Sequence, residues 1–413
     1  MIRLSLLASA GLGLFLLAPA RAEAIPDLMP LPATIIPGVG HLALDAPLLV
    51  LLSGPEDEIA RAGAGRFADL LHRRTGVDVF VRHNGEDRAR VQILVEWQTA
   101  SPAIQEAVED ESYSLEVTPQ GAQLRAKSPL GVLHGLETLL QSIRRDSHGY
   151  SLPSLRIRDQ PRFAWRGLLL DSARHFIPVP DLKRTLDAMA ALKFNVFHWH
   201  LTDDQGFRFE SKAFPKLTQA GSGGLYYSQE DVRVVVQFAR ERGIRVVPEF
   251  DMPGHTTSWF AAFPNLASAP GPYAVKPGAG LFEATMDPTR PELYQFLAGF
   301  FAEIAALFPD EYVHIGGDEV DPAQWRRNAA IQNFMQDHAL RDEQALQAYF
   351  NRSLAELLAR YGKKMIGWDE IIHADLPSDA VVQAWRGTGS LADAIRSGSS
   401  AILSFGYYLD QLQ

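Results

Sequence analysis

From residue 165 onward the chain repeats one unit: a short apolar run ending in a charged residue, then a longer amphipathic stretch. The apolar runs read as strands at 165–171, 195–203, 245–252, 312–319, 364–370, 380–386 and 399–405. The stretches between them carry helix start and stop signals. Ser228, Gln229, Glu230 and Asp231 form a capping pattern, with Gly243 as the stop. Residues 289–292 open a helix that runs through Leu293, Phe296, Leu297, Phe300, Phe301 and Ile304. A third helix spans 343–361 and stops at Gly362. Alternating strands and helices require a parallel sheet. Six strands end at Asp171, Asp203, Asp251, Asp318/Glu319, Asp369/Glu370 and Arg386. Functional groups collected at the C-terminal ends of parallel strands mark the active face of a (β/α)₈ barrel. A doubly wound open sheet is the rival. It does not need charged groups after six strands, and no G-x-G-x-x-G follows the first strand. Seven strands are counted, not eight. The expectation is an α/β fold, a (β/α)₈ TIM-type barrel without its last strand–helix unit, in a chain truncated at its C-terminus.

Residues 25–160 read as a separate small α+β domain ahead of a barrel at 161–413. Pro26, Pro32 and Pro37 stud an extended entry. Strands are expected at 47–52, 79–81, 91–95, 113–117 and 122–126, the last two joined by a turn at Pro119, Gln120 and Gly121. Helices are expected at 58–74 and 131–144, although Gly63 and Gly65 count against the first. No catalytic constellation stands out in this part.

The first residues carry one positive charge, an apolar run from Leu4 to Leu17, and Ala18, Pro19, Ala20, Arg21 and Ala22. That is the form of a secretory signal peptide over 1–22, with export to the periplasm or medium and no transmembrane segment after cleavage. The net charge of −10 argues against nucleic acid as a partner. With no cysteine in 413 residues, disulfides, thiol catalysis and cysteine-based metal centres are excluded.

The sharpest chemical signal is Tyr312, Val313, His314, Ile315, Gly316, Gly317, Asp318, Glu319. Neighbouring side chains of a strand point to opposite faces. Asp318 and Glu319 therefore share a cleft only where the chain leaves the pleat, and Gly316 and Gly317 permit that. Two carboxyls in one pocket push one pKa up, leaving a proton donor. Such a pair suits glycosidic bond cleavage. A solvated loop is the plainer alternative for the doublet alone. His198 and His200 share one strand face and hint at a metal, but no third ligand stands out, so they are read as hydrogen-bonding residues of the barrel interior.

Seven motifs, in order, resemble the family 20 glycoside hydrolases, the β-N-acetylhexosaminidases. They are residues 165–176 (WRGLLLDSARHF), 198–206 (HWHLTDDQG), 247–255 (VPEFDMPGH), 314–319 (HIGGDE), 367–370 (GWDE), 383–385 (QAW) and 408–410 (YLD). Residues 131–141 resemble the end of the family's small domain. The resemblance implies exo-acting removal of terminal N-acetylglucosamine or N-acetylgalactosamine from an oligosaccharide or glycoconjugate. The configuration is retained and the substrate's own acetamide is the nucleophile. It implies Glu319 as general acid and then base, Asp318 on the acetamide N–H, and Tyr408 on its carbonyl. His255 and Asp203 are implied as a relay behind Glu319. Arg174 and Asp410 would hold sugar hydroxyls, with Asp204 in a similar or supporting role. Trp368 and Trp385 would wall the pocket. Glu249 and Asp251 are read as supports, and Trp165, Trp199 and Trp325 as packing. No metal or other cofactor is implied. Phe207 stands where many relatives have Trp, and a further pocket Trp and Glu of the family find no match. A sibling activity that releases a disaccharide, a non-catalytic carbohydrate-binding protein and an inactive fragment are the alternatives. A binding protein has no use for a proton donor beside Asp318.

Overall fold

The computed structural model describes residues 25–85, 91–147, 149–278, 280, 282–373 and 375–409. The leader read at 1–22, and Asp410, lie outside the described residues.

The first part contains β1 (Thr34–Ala43), β2 (Leu48–Ser53), α1 (Glu58–Thr75), β3 (Val79–His83), β4 (Ile93–Glu96), β5 (Tyr113–Thr118), β6 (Gly121–Ala126), α2 (Pro129–Ser142), β7 (Arg144–Asp146) and β8 (Gly149–Asp159). They form one sheet in the order β1-β8-β5-β6-β4-β2-β3, with β7 paired to β8. The half from β1 to β6 is antiparallel and the half from β6 to β3 parallel. Val50, Leu52, Val95, Leu115 and Leu124 pack against Phe67 and Leu71 of α1 and Leu136 and Leu139 of α2. The last part of the extended entry, from Thr34 and including Pro37, is a strand, β1, with a register break between Pro37 and His41. It lies at the sheet edge, where a proline leaves no ladder bond unmade. α1 forms despite Gly63, because that glycine lets two helices meet. A Cβ there would stand 2.1 Å from Leu133 Cδ2 on α2.

The second part contains β9 (Gly167–Asp171), α3 (Val179–Ala191), β10 (Val196–Asp203), β11 (Gly206–Phe207), α4 (Lys216–Gly221), α5 (Gln229–Arg240), β12 (Arg245–Phe250), α6 (Thr257–Ala262), α7 (Pro291–Leu307), β13 (Tyr312–His314), α8 (Ala323–Arg327), α9 (Ala329–Asp337), α10 (Glu343–Ala359), β14 (Lys364–Trp368), β15 (Val381–Ala384), α11 (Thr388–Arg396) and β16 (Ser400–Leu403). Seven strands run parallel in the order β9-β10-β12-β13-β14-β15-β16, while β11 folds back on β10. This is a (β/α) barrel-type sheet. Among the described residues β9 and β16 are its two edges, and Leu169 and Leu403 on them are 36% and 37% exposed. Alternate residues of β10 divide the core. Phe197, Trp199 and Leu201 meet the helices, while Val196 packs with Val247, Ile366 and Val381 on the other face. The Ser228 capping box on α5 is present, with Asp231 as its reciprocal partner.

Several strands stop earlier than their apolar runs. The run 312–319 is strand only to His314, 364–370 only to Trp368, and 380–386 only to Ala384. Each remainder leaves the sheet at the rim, Asp369 and Glu370 in a short 3₁₀ turn, so that side chains no longer alternate.

A buried polar seam joins the two parts. Arg166 pairs with Glu111 and donates to Lys193 O at 2.8 Å. Asn195 donates to Glu111 at 3.1 Å, and Lys193 Nζ reaches Tyr113 Oη at 2.9 Å and Asp159 at 3.1 Å. Among the described residues no helix is long and apolar enough to cross a membrane.

Candidate active site

Because the seven strands are parallel, their C-terminal ends share one rim. Asp171, Asp203, Asp251, the Asp318–Glu319 doublet, Asp369, Glu370 and Arg386 all follow from that topology. After β13 the chain leaves the pleat through Gly316 (φ 67°) and Gly317 (φ 90°), and Glu319 itself has φ 48°. A Cβ on Gly316 would lie 1.7 Å from Asp251 Oδ1. The Gly317 N–H donates to that same oxygen at 3.2 Å. The glycine pair therefore turns the backbone and lets it close onto a neighbouring carboxyl.

His255, also at positive φ (53°), stands at the centre of the site. Its Nδ1 lies 3.3 Å from Asp203 Oδ1 and 3.4 Å from Asp204 Oδ2. Its Nε2 lies 3.5 Å from Glu319 Oε2 and 3.7 Å from Asp318 Oδ2. Asp204 is fixed by Thr257, whose N–H and hydroxyl donate to it at 2.9 and 2.5 Å. Burial works against a charged imidazole, but Asp251, Asp203, Asp204 and Glu319 outweigh it and hold His255 protonated. Burial also raises Asp203, yet hydrogen bonds from His200 and His255 bring it below the usual carboxylate range.

The doublet splits in an unexpected direction. Burial raises Asp318 above the ordinary aspartate value, and Glu249 adds to it against the pull of His255. Glu319 is lowered, first by its hydrogen bond with His255, which outweighs the opposing effect of burial, and then by the charges of His255 and Arg174. The sequence expectation of one raised carboxyl is met by Asp318 rather than by the residue read as the acid. The reason is depth: the Asp318 side chain is 16% exposed, and that of Glu319 33%.

Beneath the doublet Glu249 is a buried carboxyl surrounded by three imidazoles and one indole. His200 Nδ1 lies at 2.7 Å, His198 Nε2 at 2.8 Å, His314 Nδ1 at 3.2 Å, and Trp368 Nε1 donates at 2.9 Å. Sequence reasoning found no third donor beside His198 and His200. The fold supplies Glu249 and His314, within reach of one ion. The three histidine contacts hold Glu249 well below the usual range, against its own burial. His314 accepts the Gly316 N–H at 3.0 Å, which ties the cluster to the turn.

Arg174 bonds Asp171 at 3.0 Å and Asp203 at 2.6 Å, and lies 3.2 Å from His200 Nε2. Its side chain remains 41% exposed. Trp385 Nε1 donates to Glu370 at 3.1 Å, and Arg386 Nε binds Asp369 at 2.6 Å. Burial lifts Glu370 to about 7, helped by the hydrogen bond that its protonated carboxyl donates to Asp369. Tyr408 follows β16 and is 40% exposed. Trp199 and Trp325 are fully buried packing residues, as read. Trp165 stacks edge-on against Tyr312.

Two residues have larger parts than their sequence context indicates. Asp251 was read only as a support, and Glu370 only as part of a motif. The signal for Asp251 was its place three residues before Gly254 and after a buried strand, which alone does not reveal a carboxyl facing Gly316. Grooves of about 470 Å³ on the first sheet (Tyr113, Arg125, Arg158) and about 370 Å³ near Pro264 and Arg290 lie elsewhere, and neither gathers a carboxylate pair.

The model of the glycosyl hydrolase family 20 catalytic domain matches residues 163–413, and that of the family's domain 2 matches residues 25–160. The chain is 38% identical over 422 residues to the beta-hexosaminidase subunit beta of Mus musculus, covering 96% of this chain and 76% of that one. The solved chitobiase of Flavobacterium johnsoniae superposes with a TM-score of 0.90 at 42% identity, covering 94% of this chain and 60% of its own. An exo beta-N-acetylglucosaminidase of Vibrio harveyi, solved with N-acetylglucosamine, superposes with a TM-score of 0.78 at 30% identity, over 94% of this chain and 62% of its own.

Proposed function

The chain belongs to glycosyl hydrolase family 20, and from that premise we propose that it is an exo-acting β-N-acetylhexosaminidase. It removes terminal N-acetylglucosamine or N-acetylgalactosamine with retention, by attack of the substrate's own acetamide oxygen on the anomeric carbon. The observation that carries the reading is the doublet at the strand-end rim, with both carboxyls facing one imidazole at 3.5 and 3.7 Å.

Glu319, nearer to solvent, protonates the departing oxygen. In the free site its proton is held on the His255 side. A sugar above it excludes water and raises the carboxyl, which favours the neutral acid. His255, held by Asp203 and Asp204, lies close enough to exchange that proton. Asp318 accepts from the acetamide N–H and stabilises the cationic ring that forms, an anion placed where positive charge develops. Tyr408 meets the acetamide carbonyl and fixes its angle of attack. Arg174 and Asp410 bind ring hydroxyls, and Trp368 and Trp385 line the acetamide pocket. The N-terminal residues serve as an export signal, with the periplasm or medium as destination. The Vibrio enzyme's bound N-acetylglucosamine supports a hexosamine-terminated substrate.

The test compares an aryl N-acetyl-β-glucosaminide with the aryl β-glucoside, for the parent and Glu319→Gln. Hydrolysis of the first alone, lost in Glu319→Gln while product still binds, is the expected result. The loss should be at least about 10²-fold, the scale of general acid catalysis. Equal cleavage of the glucoside would refute neighbouring-group participation. Binding without hydrolysis by the parent would make this a carbohydrate-binding protein.

A further inference from the structure

Asp251 stands out because the steps above do not use it. It is 1% exposed, at the end of β12. Its Oδ1 accepts the Gly317 N–H at 3.2 Å, so its second oxygen is free to face elsewhere. Asp251, His255 and Asp318 each offer an atom within 4.8 Å of the others. Asp318 Oδ1 is buried with no hydrogen-bond partner. A buried acceptor without a donor is costly, and two buried carboxylates side by side cost more. One proton between them removes both penalties.

We propose that Asp251 is a positioning residue that keeps its proton and donates it as a hydrogen bond to Asp318, leaving Asp318 as the single anion of the pair facing the substrate amide. The proposal rests on the functional reading above for the word substrate, but the shared proton does not depend on turnover. The groups that face Asp251 are Asp318, His255, Glu249, Asp203 and Arg174. Burial raises its carboxyl well above the ordinary aspartate value, and Asp318, Glu249 and Asp203 raise it further against His255. The pair titrates as a unit, so the proton belongs to the two carboxyls together, with Asp251 the deeper of them. The arrangement answers a difficulty of the doublet. Asp318 must be ionised to hold a developing cation, yet it lies in a buried site that disfavours ionisation. A neutral carboxylic acid beside it stabilises the anion without adding charge. The backbone bond to Gly317 holds that acid in one orientation, and Gly316 leaves the room it occupies.

The experiment uses the full chain and two variants. Asp251→Asn keeps an oxygen for the Gly317 N–H and offers a non-ionisable N–H to Asp318, whereas Asp251→Leu fills similar space with no donor. Infrared difference spectra of parent minus Asp251→Asn at about pH 8, where ordinary carboxyls are ionised, should show a protonated carboxylic acid band. On the aryl N-acetyl-β-glucosaminide, Asp251→Asn should keep kcat within about tenfold of the parent while Asp251→Leu loses at least about 100-fold, with KM little changed. A missing acid band, or Asn as damaging as Leu, overturns the proposal. Should Asp251→Asn not fold, aspartate ¹³C-carboxyl titration of parent and Asp318→Asn replaces it. Removing the neighbouring anion should lower the pH at which a second carboxyl ionises, and an unchanged titration overturns the proposal. If the parent shows the acid band but cleaves no glycoside, the functional reading fails and the shared proton stands.

Discussion

Replacing Gly316 by alanine isolates the cost of bringing the backbone onto Asp251. Two effects combine there. The residue sits at φ 67°, which costs an L-residue roughly 1–2 kcal/mol. The new methyl would also lie 1.7 Å from Asp251 Oδ1 and 2.8 Å from Oδ2, so the carboxyl must move and lose its bond from Gly317. Overpacking of a tight site adds about 1–3 kcal/mol, and the lost bond to a buried carboxyl about 1–2 kcal/mol. The sum is roughly 3–7 kcal/mol, a large part of the stability of an ordinary domain. Gly362 supplies the control. It has φ 68°, nearly the same, but a Cβ there meets nothing within 4 Å. Gly362→Ala should therefore cost only the backbone share, about 1–2 kcal/mol. Urea unfolding of the three proteins, read by linear extrapolation, measures both. Gly316→Ala should exceed Gly362→Ala by at least about 2 kcal/mol. Equal losses would mean that Asp251 does not occupy the space against Gly316, and the reasoning about the turn would fall with it.

Two further outcomes follow from the electrostatics. Arg245 binds Asp310 through two nitrogens at 2.7 and 3.0 Å, both side chains 3% exposed, at the N-terminal end of the barrel strands. Arg245→Met leaves a buried carboxylate unpaired and should cost about 3–5 kcal/mol in urea unfolding, with kcat of the surviving folded protein near the parent's. Glu370 is raised from 4.5 to about 7, so its share of stability is fully present below pH 4.5 and lost as pH rises to 7. Against Glu370→Gln, the parent should therefore lose up to about 3 kcal/mol of relative stability between those limits. A pH-independent difference between the two proteins would show that Glu370 ionises at its ordinary value.

Much of the fold was legible because its signals are local. Ser228 and Asp231 announce α5, and the alternation of apolar runs with amphipathic stretches announces parallel strands. What escaped was set by partners distant in sequence. β1 read only as extended chain, and β8, more than 100 residues away, is what makes it an edge strand. Gly63 argued against α1 until Leu133 showed why no side chain fits there. At the site, residue types sufficed to suggest the doublet and its glycines, but the sign of each carboxyl's shift depends on depth, which a sequence does not display. Hence Asp318 rather than Glu319 is the raised group. For the same reason Glu249 and His314 joined His198 and His200 only once β10, β12 and β13 lay side by side.

The bond from Trp368 to Glu249 gives one residue two duties. Its ring is the proposed wall of the sugar pocket, and its N–H helps neutralise an anion sealed in the barrel. Any change of ring made to admit a different sugar also withdraws a donor from that anion. Retuning selectivity at this position thus couples to foldability. A successful redesign would begin with a compensating change at Glu249, before the wall itself is touched.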